Sequence, residues 1–426
     1  MSDRRPGRRA HVGTDARTLA WRVLVRIDKD GVPLQAALRS ALDAPDARGL
    51  EDRDRGLATE CVYGTCRRRL WLDRVLAERI PRGLPSDVEV RNALRLGAFQ
   101  LLLLDRVPAF AAVSTTIDLV RKVRGERVAG FVNGVLRSLE RDPPSRLHAD
   151  RWAHPEWLVS RWATEPGVDL AARLAANLAE PPVSLRLHPS VRSAALPGLG
   201  PTAQPAVFVV QEGLSSHTVR DWVRQGRALP QDPASARVVE WVEARPGHRV
   251  LELCAGRGVK TSQLAETLGP SDLLVAIDVS AAKLRDALRL VARWAPTVHV
   301  RALAADASQP LPLAPHVRFD RILVDAPCTG LGVLRRRPEI LWRRTAGDIG
   351  VLAALQRALL TEAARWLAPD GVIIYAVCTT TPEETTQVLD HARNALGLTI
   401  ERAFDTTPER DGQDGFFAAR LTRRAP

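Results

Sequence analysis

Apolar residues recur along the chain with two different periods, and the period changes near residue 246. Between 14 and 141 they recur at three- and four-residue intervals, as Leu19, Val23 and Ile27 do, which predicts amphipathic helices. Runs of β-branched residues with period two are absent there, so we expect an all-α domain. After residue 246, short apolar runs alternate with amphipathic stretches, which predicts an α/β Rossmann-like domain with a doubly wound, mostly parallel sheet.

Five short apolar runs in the second half of the chain predict strands, each followed by a turn or a helix. The strands are expected at 249–253, 273–278, 298–303, 319–324 and 371–377, and helices from Lys260 and at 281–294 and 349–367. Two further strands, at 183–187 and 206–210, are expected before them. We therefore divide the chain into a basic, disordered tail (1–13), the all-α domain (14–141), a connector with a small α+β subdomain (142–245) and the α/β domain (246–426).

The composition favours a basic protein with a polyanionic partner. Lys and Arg number 61 against 49 Asp and Glu, a formal net charge of +12, and basic proteins gain affinity for nucleic acids by releasing counterions from phosphates. A general basic bias without such a partner is the alternative. No apolar run reaches the roughly 18 residues of a membrane span, and the start lacks the apolar core of a signal peptide, so we expect a cytoplasmic protein.

The cysteines are few, and their spacing argues against disulfides and zinc. There are five of them, an odd number, and no two are spaced as C-x-x-C. Cys254 opens a Gly-rich turn after the first strand, in which Gly256 and Gly258 would let the backbone approach a ligand. A purely structural turn explains the two glycines equally well.

Carboxylates at the ends of the next two strands strengthen the ligand interpretation. Asp278 ends the second strand about twenty residues beyond the turn, where a carboxylate can bond ribose hydroxyls. That geometry suits NAD and S-adenosylmethionine equally. Asp306, after the third strand, could accept a hydrogen bond from the amine of adenine. Strand-terminal aspartates also serve as ordinary caps, so the residues alone leave both roles open.

Two cysteines at two strand ends suggest covalent chemistry. Asp325 and Cys328 follow the fourth strand and Cys378 follows a later one, so the two thiols could converge at one edge of the sheet. Either cysteine alone could be an inert core residue. A thiolate that adds to C6 of cytosine makes C5 nucleophilic towards a methyl group, and Asp325 is placed to protonate or hydrogen bond N3. Arg335, Arg336 and Arg337 could favour the thiolate and contact RNA phosphates, or form a solvated loop.

Longer motifs resemble those of the Sun/Fmu family of RNA cytosine-C5 methyltransferases. The family's fourth motif is similar to residues 319–330 and 332–340 of this chain, and its sixth motif is similar to Tyr375–Thr379 with Pro382–Glu384. The family's final strand is similar to 414–421, and the stretch before its cofactor strand is similar to 231–235. The all-α segment resembles the NusB-like RNA-binding domain of the RsmB branch, on 52–55, 94–97 and 130–136.

The resemblance implies a cytosine-C5 methyltransferase of 16S ribosomal RNA that uses S-adenosyl-L-methionine. It makes Cys378 the nucleophile and Cys328 the residue that assists product release, and it makes the 142–245 subdomain RNA-binding. The cofactor residues it implies are Cys254, Ala255, Gly256, Arg257, Gly258, Val259, Lys260, Asp278, Asp306 and Asp325. We expect small-subunit ribosomal RNA or its precursor as partner, a monomer, and neither a metal nor a membrane.

The cofactor loop departs from the family pattern. Gly256, Arg257 and Val259 stand where the family usually has Ala, Pro and Gly, while Thr329 and Thr385 stand where Ser and Asn are common. Three other functions remain as alternatives: an RNA-binding or ribosome-assembly factor without catalysis, a tRNA cytosine-C5 methyltransferase, and an NAD-dependent oxidoreductase. The presence of both cysteines and of all three strand-end carboxylates argues against the first.

Overall fold

The computed structural model describes residues 15–192 and 196–423, so the predicted disordered tail over 1–13 lies outside the described residues. Contacts within the chain divide it into two compact units. The first contains the residues up to Leu170 together with Arg337–Trp342, and the second contains Ala171–Arg336 and the residues from Arg343 onwards.

The first unit is helical, as the spacing of its apolar residues predicts. Its helices α1 to α9 span Ala16–Lys29, Leu34–Leu42, Asp52–Arg67, Arg69–Ala77, Val88–Leu103, Ala109–Arg124, Glu126–Arg141, Ala149–Trp152 and Glu156–Thr164. Side-chain caps start two of them: Asp15 accepts from the backbone N–H groups of the first turn of α1, and Asp87 does so for α5. Over residues 15–170 every regular element is a helix, which confirms the all-α fold.

A buried arginine holds three helices of this unit together. Arg95 on α5 is 3% exposed and donates to Asp28 on α1 (2.7 Å) and to both oxygens of Asp73 on α4 (2.6 and 2.8 Å). Arg69 also donates to Asp28 (2.5 Å). Burial alone would raise the pKa of Asp28, but these two guanidinium groups hold it below its ordinary value.

The second unit contains a small antiparallel sheet beside a larger one. After α10 (Leu170–Leu178), strands β1 to β4 span Ser184–Leu187, Leu199–Pro201, Val207–Val210 and Ala228–Pro230, with helices α11 (Pro189–Arg192) and α12 (Ser216–Gln225) between them. The strand order is β2-β3-β1-β4, and every pairing is antiparallel. This is the α+β arrangement expected between the two larger domains.

The larger sheet has seven strands in the order β10-β11-β9-β8-β5-β6-β7. Strands β5 to β11 span Arg249–Leu253, Leu273–Asp278, Val300–Ala304, Phe319–Asp325, Leu367–Val377, Leu398–Thr406 and Phe416–Arg423. Helices α13 to α19 span Pro233–Glu240, Val259–Ala265, Ala281–Trp294, Ile340–Arg343, Ala346–Trp366, Thr386–Leu396 and Pro408–Asp411. The five strands from β5 to β9 run parallel and β11 runs antiparallel to β9, which confirms the predicted Rossmann-like fold.

Arg186 on β1 joins the small sheet to the larger one. Its fully buried guanidinium pairs with Glu266, donates to the Ser262 hydroxyl (2.6 Å) and lies 4.6 Å from the ring centre of Trp294. Burial lowers the pKa of Arg186 to about 10. The helix that follows the Gly-rich turn is therefore fixed to the small sheet by a charged residue that has little access to water.

Three strands were not predicted from the sequence. Two of them, β2 and β4, have only three residues each, and the third is β10. β10 lies at the edge of the sheet, and most of its central residues, such as Glu401 and Arg402, are exposed. Such a strand lacks the continuous apolar run that marks the buried parallel strands. Within the described residues, no helix has the length and hydrophobicity needed to cross a membrane.

We predict that Arg95→Ala destabilises the helical unit by about 3–5 kcal/mol, because it leaves Asp28 and Asp73 short of a partner in a poorly solvated place. Urea unfolding of the purified chain measures the loss. Arg137→Ala is the matched control, because Arg137 pairs with Glu140 on the surface, where an ion pair contributes about 1 kcal/mol or less. Equal effects of the two substitutions would contradict the prediction.

Candidate active site

The order of strands brings two loops together at the carboxyl edge of the large sheet. The chain leaves β5 towards β6 on one side, whereas β8 pairs with β5 on the other side. Ligands of such sheets bind where the strand order reverses. Here the loops after β5 and β8 meet at that point, and the loop after β9 lies next to them.

Cys328 and Cys378 lie side by side at this edge. Their sulfur atoms are 3.3 Å apart, and both residues are half-buried. The pKa of the Cys328 thiol is well above its ordinary value, first because of its hydrogen bond with Cys378 and then because the surrounding protein desolvates it. Ionisation of Cys328 is therefore disfavoured next to the Cys378 sulfur.

A pair of glycines fixes the loop after Cys328 against the chain around Cys378. The N–H of Gly332 donates to the carbonyl oxygen of Cys378 (3.0 Å), and the N–H of Gly415 donates to Gly332 (2.8 Å). A Cβ atom on Gly332 would lie 2.1 Å from the Gly415 oxygen, a distance no side chain can occupy. The two thiol-bearing loops can lie this close only because the backbones at Gly332 and Gly415 are in direct contact.

Lys260 and Asp325 form an ion pair next to the thiols. The ammonium group donates to Asp325 Oδ2 at 2.7 Å. Burial alone would lower the pKa of Lys260, but the negative charges of Asp325 and of a Cys378 thiolate raise it above its ordinary value. Lys260, which the sequence placed with the cofactor residues, is therefore also an electrostatic neighbour of Cys378.

The Gly-rich turn after β5 adopts the tight left-handed geometry that its glycines allow. Gly256 has φ +59°, Gly258 has φ +86° and Cys254 has φ +62°. A Cβ atom on Gly258 would lie 2.5 Å from the Cα of Ala287 on α15, so this position requires glycine. Burial raises the pKa of Cys254 to about 12, which excludes it as a nucleophile at neutral pH.

The remaining residues of the turn are placed by neighbouring elements. The N–H of Ala255 donates to the Ile277 carbonyl at the end of β6 (2.9 Å). Arg257 is exposed and pairs with Asp286 on α15. Val259 begins α14, and its carbonyl oxygen accepts from Arg186 (3.3 Å).

Asp278 and Asp306 lie at the ends of β6 and β7, but their surroundings differ. Asp278 is buried and accepts from the N–H groups of Gly256 (3.0 Å) and Ser280 (2.8 Å). One carboxylate therefore holds both the Gly-rich turn after β5 and the turn after β6. Asp306 is exposed and accepts from the N–H of Ser308 (2.9 Å). Val279, next to Asp278, is 70% exposed and offers an apolar surface at this end of the sheet.

A buried carboxyl group lies beneath the Gly-rich turn. Glu252 on β5 is 1% exposed, and neither of its carboxyl oxygens, nor the hydroxyl of the neighbouring Thr261, has a hydrogen-bond partner with good geometry among the described residues. Burial raises the pKa of Glu252 to about 8. Asp325, Lys260 and Asp278 are the charged groups close enough to influence it.

The structure revises the roles expected for the arginine triplet. Arg335 is buried and donates to Asp414 (2.8 Å), and Arg336 bridges Asp414 (2.5 Å) and Asp232 (3.0 Å). Both guanidinium groups are engaged inside the protein, because their loop folds back onto acidic residues far away in the sequence. They are thus poorly placed to contact RNA. The side chain of Arg337 is 50% exposed and remains a candidate.

The other two cysteines lie in the helical unit. Cys61 and Cys66 are buried, and burial raises the pKa of each to about 12. Among the described residues, no cluster of His, Cys, Asp and Glu side chains could hold a metal ion. The site thus consists of two thiols, an ion pair, a glycine turn and strand-end carboxylates.

Comparison with known proteins places this arrangement in a family. The family model for the 16S rRNA methyltransferases RsmB/F matches residues 239–422, and the NusB family model matches 14–141. The ribosomal RNA small subunit methyltransferase B of Xanthomonas campestris is 32% identical, and the alignment covers 97% of this chain and 98% of that protein.

The chain belongs to the RsmB/F family of 16S rRNA methyltransferases. The corresponding Erwinia tasmaniensis enzyme is 29% identical over 96% of this chain and 99% of its own length. The crystal structure of PH0851 shares the fold with a TM-score of 0.82, at 22% identity over 96% of this chain and 99% of that one.

An RsmB/F chain is an RNA methyltransferase that uses S-adenosylmethionine. Gly256 and Gly258 carry no side chain in the turn after β5, and Val279 and Asp306 are exposed at the ends of β6 and β7. That these three strand ends hold the cofactor stays a prediction.

Several of these residues were not found from the sequence. Val279 and Glu252 follow no recognisable motif, although an acidic residue inside an apolar strand is a signal in itself, because buried carboxylates are rare. The pairing of Lys260 with Asp325 depends on a crossover between distant strands. The sequence alone gives no indication of that contact.

We predict that Glu252→Gln changes how stability depends on pH. The folded state holds the Glu252 proton up to about pH 8 and the unfolded chain releases it near 4.5. The wild-type protein therefore loses stability as pH rises between these values. Relative to it, the variant should gain about 1.4 kcal/mol per pH unit. Urea unfolding at several pH values between 5 and 8 measures this, and a constant difference between the two proteins would refute it.

Proposed function

We propose that this chain methylates C5 of a cytosine in 16S ribosomal RNA through a covalent bond between Cys378 and C6 of the base. The observation that carries the proposal is the 3.3 Å separation of the Cys328 and Cys378 sulfur atoms beside the Lys260–Asp325 pair. A methyltransferase that acts on a base nitrogen or a ribose oxygen needs no thiol, whereas C5 must first be activated by a nucleophile at C6.

Cys378 is suited to attack, because it is half-buried at a strand end and lies near a cation. Its thiolate forms the S–C6 bond, and the electron pair of the C5=C6 double bond moves towards C5 and the ring. S-adenosylmethionine, when bound, supplies an electrophilic methyl group on a sulfonium ion. The positive charge of Lys260 favours the thiolate over the thiol.

Cys328 is suited to assist release. After methylation, the C5 proton leaves to solvent, the C5=C6 double bond reforms and the S–C6 bond breaks with its electron pair on the Cys378 sulfur. A protonated thiol 3.3 Å away can hydrogen bond to that departing sulfur. The raised pKa of Cys328 supports this donor role rather than that of a base.

Asp325 is placed for contact with the edge of the cytosine ring. One of its oxygens accepts from Lys260, and a carboxylate has further capacity to accept hydrogen bonds from the exocyclic amine or from N3 once N3 is protonated. Arg337 is the member of the arginine triplet that we assign to phosphate contact, because its side chain is half exposed. The small sheet built from β1 to β4 is proposed to bind RNA as well.

We predict that Cys378→Ser lowers methyl transfer at least about 100-fold, because a hydroxyl is a far weaker nucleophile than a thiolate at neutral pH. Bisulfite sequencing of 16S RNA and of transfer RNA, each incubated with purified protein and the cofactor, measures the product at single cytosines. Cys66→Ser, a buried cysteine of the helical unit, is the control. Undiminished methylation by Cys378→Ser would refute the nucleophile, and modification confined to transfer RNA would refute the substrate.

We predict that Cys328→Ala accumulates a protein–RNA adduct that survives denaturing electrophoresis, because the departing sulfur loses its hydrogen-bond donor. The double variant Cys328→Ala with Cys378→Ser should give no adduct. If the single variant forms none with an RNA that the wild-type protein methylates, the proposed role in release is wrong.

A further inference from the structure

Glu384 lies in the resembled sixth motif but contacts neither thiol. It ends the short 3₁₀ helix Pro382–Glu384, and its side chain is 0% exposed. A fully buried carboxylate is costly unless hydrogen bonds satisfy it. The groups that donate hydrogen bonds to the Glu384 carboxylate connect it to the loops that carry the two cysteines.

All four donors to the Glu384 carboxylate are neutral groups around the two thiol-bearing loops. Oε1 accepts from the N–H of Thr329 (2.8 Å) and from Nε2 of Gln356 (3.0 Å). Oε2 accepts from the hydroxyls of Thr329 (2.5 Å) and Thr381 (2.8 Å). Both polar groups of Thr329, the residue after Cys328, are therefore bound by one side chain.

The residue before Cys328 is held through the same carboxylate. Gln356 on α17 donates to the carbonyl oxygen of Pro327 (2.9 Å) as well as to Glu384. Tyr375 on β9 is fully buried, and its hydroxyl donates to the backbone oxygen of Glu384 (2.7 Å). Glu384 is thus itself anchored to the sheet; it binds Thr329 directly and shares the Gln356 amide with the Pro327 carbonyl.

Cys378 depends on Glu384 much less. Cys378 directly follows Val377, which still pairs with Phe417 of β11 in the sheet. Cys328 lies three residues beyond Asp325, the last residue of β8, so hydrogen bonds from outside its strand must set its position. Loss of the Glu384 carboxylate would therefore displace the Cys328 thiol more than the Cys378 thiol.

We propose that Glu384 is a positioning residue for Cys328: it fixes residues 327–329 so that the Cys328 thiol meets the Cys378 sulfur, and it thereby controls product release rather than methyl transfer. This inference rests on the proposed function, because release from a covalent adduct is the step that it concerns. The reaction class is unchanged, and Glu384 acts through the loop of Cys328, because its side chain is fully buried among protein groups.

The test compares Glu384→Met with Glu362→Met. Both glutamates are buried, and Oε1 of Glu362 also accepts from two N–H groups, those of Leu311 and Trp366. Oε2 of Glu362 accepts from Arg365 as well (3.0 Å). Both substitutions therefore leave several N–H donors without an acceptor, but only the first does so beside Cys328. Glu384→Gln is the conservative variant, because its amide oxygen can still accept from Thr329 and Gln356, and the two hydroxyls can turn to accept from its NH2 group.

For each protein, the covalent RNA adduct is quantified on denaturing gels and methyl transfer is measured in a single turnover. Glu384→Met should raise the adduct fraction roughly tenfold over wild type and slow methyl transfer less than about threefold. Glu362→Met and Glu384→Gln should resemble the wild-type protein. A general loss of packing would lower methyl transfer without accumulating adduct.

The outcomes separate this inference from the proposed function. If Cys328→Ala accumulates the adduct and Glu384→Met does not, only the positioning role of Glu384 is overturned. The same holds if Glu384→Met loses methyl transfer without accumulating adduct. Absence of adduct in both variants overturns the release role of Cys328 and this inference with it, whereas the covalent bond from Cys378 is tested separately by Cys378→Ser. If Glu384→Met does not fold, Thr329→Val decides, since it removes one hydroxyl from the carboxylate. It should accumulate adduct while Thr329→Ser does not, and equal behaviour of these two variants overturns the role.

Discussion

Two sulfur atoms on different strands can act on one pyrimidine ring only if the sheet holds them side by side, and the parallel pairing of β8 with β9 does this. Asp325 pairs with Ala376, and the ladder continues for one bond from the Ala326 N–H to the Ala376 oxygen (2.9 Å). Cys328 and Cys378 follow within three residues of this last pair. A slip of one residue in the register would displace one thiol-bearing loop relative to the other by about 3.3 Å, the rise per residue of a strand. The buried apolar side chains of both strands, which fix the register, are therefore as necessary for the site as the cysteines.

The charged groups near each cysteine of the site favour different chemical roles for the cysteines. Cys254 is desolvated, and the carboxylates of Asp325, Asp278 and Asp306 oppose its ionisation further, so its pKa is raised. Cys378 is instead electrostatically coupled to the Lys260 ammonium group, which Asp325 keeps protonated despite burial. A thiolate is stabilised by a nearby cation and destabilised by carboxylates. All three cysteines of this unit follow strands of the large sheet. The difference in role between Cys254 and Cys378 therefore comes from the charged groups that surround each sulfur atom.

Most elements whose pattern is local could be predicted from the sequence. The apolar runs of the parallel strands, the helical unit and the placing of Cys328 and Cys378 at strand ends needed only periodicity and the geometry of parallel sheets. Features that depend on contacts between distant segments could not be predicted. Arg335 and Arg336 are basic residues in a loop, and only folding shows that Asp232 and Asp414 lie beside them. For the same reason the position of Glu384 in the chain does not reveal that its side chain points towards Thr329.

The unusual cofactor loop illustrates how a departure from a family pattern can be accommodated. Proline at position 257 would restrict the backbone by itself, whereas Arg257 must rely on its neighbours. Its pair with Asp286 is largely exposed, and such a pair contributes only about 0–1 kcal/mol. Most of the constraint therefore comes from Gly258, which packs against Ala287 with no room for a side chain, and from Arg186, which holds the Val259 carbonyl from the small sheet. The loop is thus shaped by the helix below it and the sheet beside it, so its own sequence can vary while both glycine φ angles are kept.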